Sequence, residues 1–352
     1  MRIRLFFVPS IAVALLAAVA LTLCAITVAI GMPYGLILLP VAAFYLSLFG
    51  MSAWALGRIL VLEQWADWDK PRRLLILAPH EDDCVISAGG IGARNHDLGG
   101  ATRIVYLAPD DSPAMAAKRT AEAQAAWREA GVDASNLVHL NLLPPLHQRD
   151  PQKLRRAATT LRSIIDDFKP AVIVMPMFEG GHIHHDMTAS LVGSIVMPRD
   201  ELEILEAPEY SPCVSLGHTP HRIIALCTRW LFGLVSYYGP PDGIDDRPVL
   251  KFRLAASELA RKRRMLSAFE SQNAASLMET RSYPDRLVRW DAGRRRRHPF
   301  AFRHSYPAFA QAARKILPAK IVDRLLPGER GTIGRGGTVT DWEAELEERG
   351  AQ

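Results

Sequence analysis

Cysteine is scarce in this chain, and its scarcity excludes two kinds of architecture. The four thiols, Cys24, Cys84, Cys213 and Cys227, form no Cys-x-x-Cys pair, so neither a disulfide framework nor a thiolate zinc cage is written into the sequence. Such usage suits a reducing compartment. Charge of either sign is absent from two long runs, residues 5–30 and 34–56. No Gly-x-Gly-x-x-Gly follows the first strand-like segment, and acids stand where phosphates would need backbone amides, which argues against nucleotide binding. The formal net charge of +5 is modest and no recognition motif accompanies the basic residues, so nucleic acid is not an expected partner. Internal repeats are also lacking.

What is present begins with Ala78-Pro79-His80-Glu81-Asp82-Asp83-Cys84, directly after the apolar run Leu74-Leu75-Ile76-Leu77. A short uninterrupted apolar run reads as a buried strand. Its polar continuation, leading into Ser87-Ala88-Gly89-Gly90, then falls at the carboxyl edge of a parallel sheet, where open α/β folds place their ligands. The pattern returns in Ala171-Val172-Ile173-Val174-Met175-Pro176, followed by Glu179-Gly180-Gly181-His182-Ile183-His184-His185-Asp186. Two strands thus deliver His and Asp to one edge. Three N/O donors without thiolate suit a catalytic zinc site, whose fourth position stays open, and His80, Asp83 and His185 are the expected ligands. Asp82, across the turn, is left to act as general base, and His182 to face the developing oxyanion. A lone His-x-Asp-Asp would read equally well as a helix cap beside a surface histidine; the second histidine cluster is what favours a metal.

Further apolar segments at Ile104-Val105-Tyr106-Leu107 and Leu137-Val138-His139-Leu140 alternate with helical stretches at residues 114–130 and 152–168. This βαβ rhythm predicts an α/β fold, a Rossmann-like parallel sheet with helices on both faces.

The two histidine-bearing motifs resemble those of the PIG-L/LmbE-like zinc-dependent N-deacetylases, whose usual forms are (Pro/Ala)-His-Pro-Asp-Asp-Glu and a later His-Pro-Asp-His. The likeness extends from about Arg72 to Gln272, taking in Arg119-x-x-Glu122 and a late Lys262…Phe269-Glu270-Ser271-Gln272 segment that looks like the family's Lys…Ser-Gln element. By this resemblance His80, Asp83 and His185 carry Zn2+, Asp82 is the base and His182 the electrophilic partner. Three positions depart from the pattern. Glu81 replaces the usual Pro, Cys84 the usual Glu, and His184 the Asp between the two histidines, with Asp186 next in line to orient His182. Cys84 is expected in packing rather than on the metal, and His184 outside the ligand set. Arg119 is either a substrate contact or the partner of Glu122 along one helix.

The two uncharged runs each exceed the roughly 20 apolar residues needed to cross a hydrocarbon core, and Gly31-Met32-Pro33 separates them. A signal peptide would have a shorter apolar region and no second span behind it, so a two-helix transmembrane hairpin over residues 1–62 is expected. Arg2 and Arg4 precede the first run, and Arg58, Lys70, Arg72 and Arg73 follow the second, which predicts a multi-pass protein with its catalytic domain on the cytoplasmic side. A deacetylase domain is expected over residues 70–281, and a soluble form starting after about Trp68 should keep the ligands. Residues 282–352 form a basic segment around Arg294-Arg295-Arg296-Arg297 and an acidic tail over 341–348. Such charge runs are usually solvated; the other reading is contact with anionic head groups, about 1 kcal/mol per Arg near the surface.

The expected function is therefore membrane-anchored, zinc-dependent removal of an N-acetyl group. The resemblance implies an amino sugar as substrate, and the anchor suggests that it sits on a lipid carrier at the bilayer. A membrane-anchored binding protein with a degenerate site is the alternative, prompted by the changes at Glu81, Cys84 and His184.

Overall fold

A computed structural model of the chain describes residues 9–110, 112–143, 151–177, 183–196, 202–208, 247–275 and 285–291, with 318, 320 and 321. It opens with α1 (Pro9–Ile30) and α2 (Tyr34–Leu62), which pack against each other across the turn at Gly31-Met32-Pro33. Gly31 has a φ of +70°, the left-handed conformation that commonly ends a helix and that glycine adopts without a Cβ penalty. Both helices are apolar around their circumference, with Leu21, Val28, Ile37 and Phe44 among the exposed side chains. The window Val13–Ile30 has a mean hydropathy of 2.7 and is long and apolar enough to cross a membrane, the one such helix among the described residues. Among the described residues of α2 the apolar stretch is Tyr34–Gly50, and the helix carries Pro40. Of the expected two-span hairpin, the helical pair is therefore present, while among the described residues only α1 meets the length and hydropathy that a span requires.

Beyond its apolar part α2 continues to Leu62 and passes without a connecting residue into β1 (Glu63–Ala66). After it come β2 (Arg73–Ala78), α3 (Asp83–Asp97), β3 (Ala101–Tyr106), α4 (Pro113–Glu129), a short 3-10 turn (Ala134–Asn136), β4 (Leu137–His139), α5 (Pro151–Phe168), β5 (Val172–Pro176), α6 (Ile183–Ile195), β6 (Glu203–Ala207), β7 (Val249–Phe252), α7 (Ala256–Ser267) and β8 (Arg286–Arg289). The eight strands form one sheet in the order β1-β7-β8-β6-β5-β2-β3-β4. β8 pairs antiparallel with both β6 and β7, whereas the other neighbours pair parallel. The expected all-parallel sheet is thus corrected to a mixed one. The sheet is also wider than residues 70–281, since it takes in β1 before that stretch and β8 after it. Trp68 is buried and its indole N–H donates to Asn95 Oδ1 at 3.1 Å, so a boundary at Trp68 would cut into the folded unit.

Strand alternation divides the core into two layers. Leu74, Ile76, Ile104, Tyr106, Val172 and Val174 point to one face, where α3, α4 and α7 contribute Ile91, Trp127 and Met265. Leu75, Leu77, Val105, Ile173 and Met175 point to the other, against Leu161 of α5 and Leu191 of α6. Helices therefore cover both faces, as the near-continuous apolar strands require. The chain moves outward from β2 through β3 to β4, then returns to the opposite side of β2 with β5. That reversal makes the carboxyl ends of β2 and β5 a topological switch point, the crevice where open sheets bind ligands.

A buried ion pair fastens the late part of this unit to α3. Lys262 of α7 meets Asp285, and both side chains are fully enclosed. Lys262 Nζ also donates to the Ile86 carbonyl at 2.9 Å, and Asp285 Oδ2 accepts the Ile91 peptide N–H at 2.6 Å. Burial pushes the Asp285 carboxyl up, and Lys262 and the peptide groups of α3 oppose that rise. Replacing Lys262 by Met should leave a buried carboxylate without its cation and lower the unfolding free energy by about 3–5 kcal/mol. Denaturant unfolding of the detergent-solubilised chain measures this, and a loss below about 1 kcal/mol, the scale of an exposed pair, would contradict it.

Candidate metal centre

β2 ends at Ala78, and the turn Pro79-His80-Glu81-Asp82 leads directly into α3, whose first residue is Asp83. Asp83 Oδ2 accepts the His80 peptide N–H at 3.0 Å and lies 3.1 Å from His80 Nδ1. Across the switch point, α6 begins after β5 and brings His185 Nε2 to 3.3 Å from the same oxygen. His80, Asp83 and His185 thus converge, with one donor atom from each within 4.8 Å of the others. Burial would raise the Asp83 carboxyl, but His185 and His80 together hold it well below the usual carboxylate range. The donor set is two imidazoles and a carboxylate on two separate elements. It fits a three-ligand metal centre that keeps a position open.

His184 also belongs to this neighbourhood. Its Nδ1 lies 3.1 Å from His80 Nε2, and the two rings are 5.2 Å apart. His182 lies outside the described residues, as does any pairing between it and Asp186, which is buried in the first turn of α6.

Asp82 is held from a distant part of the chain. Gln272 Nε2 donates to Asp82 Oδ1 at 2.7 Å, and the peptide that presents Gln272 is itself fixed, because Ser271 donates through its N–H (3.0 Å) and hydroxyl (2.6 Å) to Glu122 of α4. Glu122 is therefore a support for the segment after α7. The helix pairing of Arg119 with Glu122 gives way to another: Arg119 Nη1 donates to Asp110 Oδ1 at 2.7 Å, a loop carboxylate at the carboxyl end of β3. Sequence reasoning did not single out Gln272 as the partner of Asp82, although the Lys…Ser-Gln element contained the signal.

The positions that depart from the usual motif have definite places. Glu81 is buried, with its carboxyl pushed up to about 7 by desolvation and by the nearby Asp110 carboxylate. It lies 3.8 Å from His139 Nδ1. Burial pushes the His139 imidazole down while Asp110 opposes this, so the contact is weaker than an ion pair between two full charges. His139 also stacks on Tyr106 with ring centroids 4.5 Å apart. Cys84 turns away from the donors into the core, where its thiol donates to the Glu81 carbonyl at 3.1 Å, meets Tyr106 Oη at 3.4 Å and accepts from Trp127 Nε1 at 3.3 Å. Burial pushes this thiol up to about 12, so it is neutral where it packs in the core.

Residues 75–196 match the family model PIG-L, described as GlcNAc-PI de-N-acetylase. Over these residues, about a third of its length, the chain is similar to the PIG-L family. The matched PIG-L stretch runs from β2 to α6 and so contains both converging motifs, while Lys262 and Gln272 lie beyond it. Among solved structures the chain is similar to the zinc-inhibited form of teicoplanin deacetylase Orf2, at 15% identity over 62% of this chain and 98% of that one, with a TM-score of 0.41. It is also similar to N,N'-diacetylchitobiose deacetylase from Pyrococcus horikoshii, at 18% identity over 57% and 73% of the two chains with a TM-score of 0.35. A third is a conserved protein from Thermus thermophilus, at 20% identity over 62% and 94% with a TM-score of 0.33. No curated protein sequence matches the chain significantly.

Because structural buried thiols are inert, Cys84 should resist iodoacetamide in the folded protein and react fully after denaturation. Peptide mass spectrometry reads the difference, and equal labelling in both states would place Cys84 at an accessible surface instead.

Proposed function

We propose that this protein belongs to the PIG-L family and is a zinc-dependent hydrolase that removes the N-acetyl group from an amino sugar. The observation that carries this reading is the convergence of His80 Nδ1, Asp83 Oδ2 and His185 Nε2 at the switch point, with Asp82 on the same turn. Held by His80, Asp83 and His185, zinc supplies Lewis acidity for the acetamide carbonyl and lowers the pKa of water toward neutrality. Asp82 takes the proton of the attacking water as the new C–O bond forms, then returns it to the leaving amine as the C–N bond breaks. Gln272 keeps the Asp82 carboxylate in place for both transfers. His182 is assigned to the oxygen of the tetrahedral intermediate, and Arg119, steadied by Asp110, to the hydroxyl groups of the sugar.

The same reading places α1 and α2 in a bilayer, with the substrate on a lipid carrier and the catalytic unit on the cytoplasmic side. Support comes from the apolar circumference of α1 and from the end of α2, where Leu60 is 68% and Val61 79% exposed. Immediately beyond, Trp65 is 57% exposed, with Lys251 Nζ 4.7 Å and the Arg253 guanidinium 5.6 Å from its ring. An amphipathic aromatic flanked by cations suits the head-group level next to an anionic leaflet.

Asp82→Asn keeps the size of the side chain and removes its basicity. Acetate release from an N-acetylated sugar glycolipid should fall by roughly 10²–10⁴-fold with the zinc stoichiometry unchanged; near-normal turnover would move the base elsewhere. For the anchor, the full chain in isolated membranes should resist extraction by alkaline carbonate and enter solution with detergent. Release by carbonate alone would reject bilayer insertion.

A further inference from the structure

We propose that His184 is a positioning residue for the metal centre: its Nδ1 accepts the Nε2–H of His80 and fixes the tautomer in which His80 Nδ1 faces the other donors. The inference rests on the reading of His80, Asp83 and His185 as the ligand set. It departs from the expectation that His184 takes no part in metal binding.

The two ring nitrogens of His80 have different surroundings. Nδ1 lies 3.1 Å from Asp83 Oδ2, the oxygen that is also 3.3 Å from His185 Nε2. Nε2 points the other way and lies 3.1 Å from His184 Nδ1. A neutral imidazole carries one proton, so a ring that offers Nδ1 as a lone-pair donor must carry its hydrogen on Nε2. The half-buried His80 ring turns that N–H toward α6, where His184 Nδ1 lies 3.1 Å away. Histidines that hold metals commonly give their second N–H to a carboxylate, a carbonyl or water, which fixes ring orientation and raises ligand basicity. Here the acceptor is another imidazole.

His184 is built to serve in this way. It is buried in the first turn of α6, and its carbonyl accepts the Thr188 hydroxyl at 2.8 Å, which ties the residue to the helix that also presents His185. The adjacent pair His184-His185 therefore addresses both sides of the centre: His185 reaches Asp83 while His184 reaches the outer nitrogen of His80. Accepting at Nδ1 requires His184 to be neutral with its own hydrogen on Nε2.

The test compares Zn2+ affinity, by competition with a chromophoric chelator, in the full-length detergent-solubilised chain and three variants, each checked for fold by circular dichroism. His184→Phe keeps a ring and removes the acceptor, and its dissociation constant for Zn2+ should rise by about 10–100-fold. His184→Asn returns an acceptor oxygen near the position of Nδ1 and should recover most of that loss, which a merely space-filling role would not allow. Wild-type affinity in His184→Phe, or an Asn variant as weak as the Phe variant, overturns the proposal. His185→Ala reports on the underlying reading separately: unchanged Zn2+ affinity there brings down the metal centre itself, whereas loss there with an unaffected Phe variant rejects the role of His184 alone. Should the Phe variant fail to fold, imidazole ¹⁵N NMR of the zinc-loaded wild-type chain decides the matter. A protonated His80 Nε2 is expected, and a protonated Nδ1 overturns the proposal.

Discussion

The centre turns on a single buried oxygen. Asp83 Oδ2 receives the His80 peptide N–H, faces the His80 ring and lies within reach of His185, so one carboxylate joins two segments about a hundred positions apart. A charge enclosed in this way is costly unless it is paired and hydrogen-bonded; the His80 peptide N–H donates to it, and the His80 and His185 rings approach it from the β2–α3 turn and from α6. Neither motif would hold its geometry without the other. Placement of Asp83 at the start of α3 adds the favourable end of a helix dipole to the same carboxylate.

The sheet brings these segments together through adjacency of β2 and β5. Leu74 to Ile76 pair in parallel register with Val172 to Val174, which sets the carboxyl ends of the two strands side by side. Much of this was legible in the sequence because both strands are long apolar runs with polar residues abruptly behind them. β1, β7 and β8 were not legible, for a physical reason: each is four residues long and interleaves charged with apolar side chains, as in Arg286-Leu287-Val288-Arg289. Their pairing depends on partners far along the chain, which no local pattern reports. The antiparallel insertion of β8 between β6 and β7 belongs to that class of information.

The site shows the same division. That His80, Asp83 and His185 come together could be read from spacing, since strand ends have recognisable local signatures. The supports could not. That Gln272 holds Asp82, that Glu122 holds Ser271, and that Arg119 turns to Asp110 all depend on how α4 and the segment after α7 meet over the turn. The three departures from the usual motif also become intelligible only in three dimensions: Cys84 fills the space beside Tyr106 and Trp127, Glu81 faces His139, and His184 meets the outer edge of His80.

The junction between α2 and β1 has a mechanical consequence. Leu62 ends the helix and Glu63 begins the strand, and Leu62 packs against Met177, Val249 and Val288 of the sheet. A flexible leash would let a catalytic unit sample many attitudes toward a membrane, with effective concentration governed by linker length. This joint works instead as a bracket: tilting the helices tilts the edge of the sheet with them. On the proposed reading of α1 and α2 as a bilayer anchor, the height and facing of the crevice would follow from the pitch of α2.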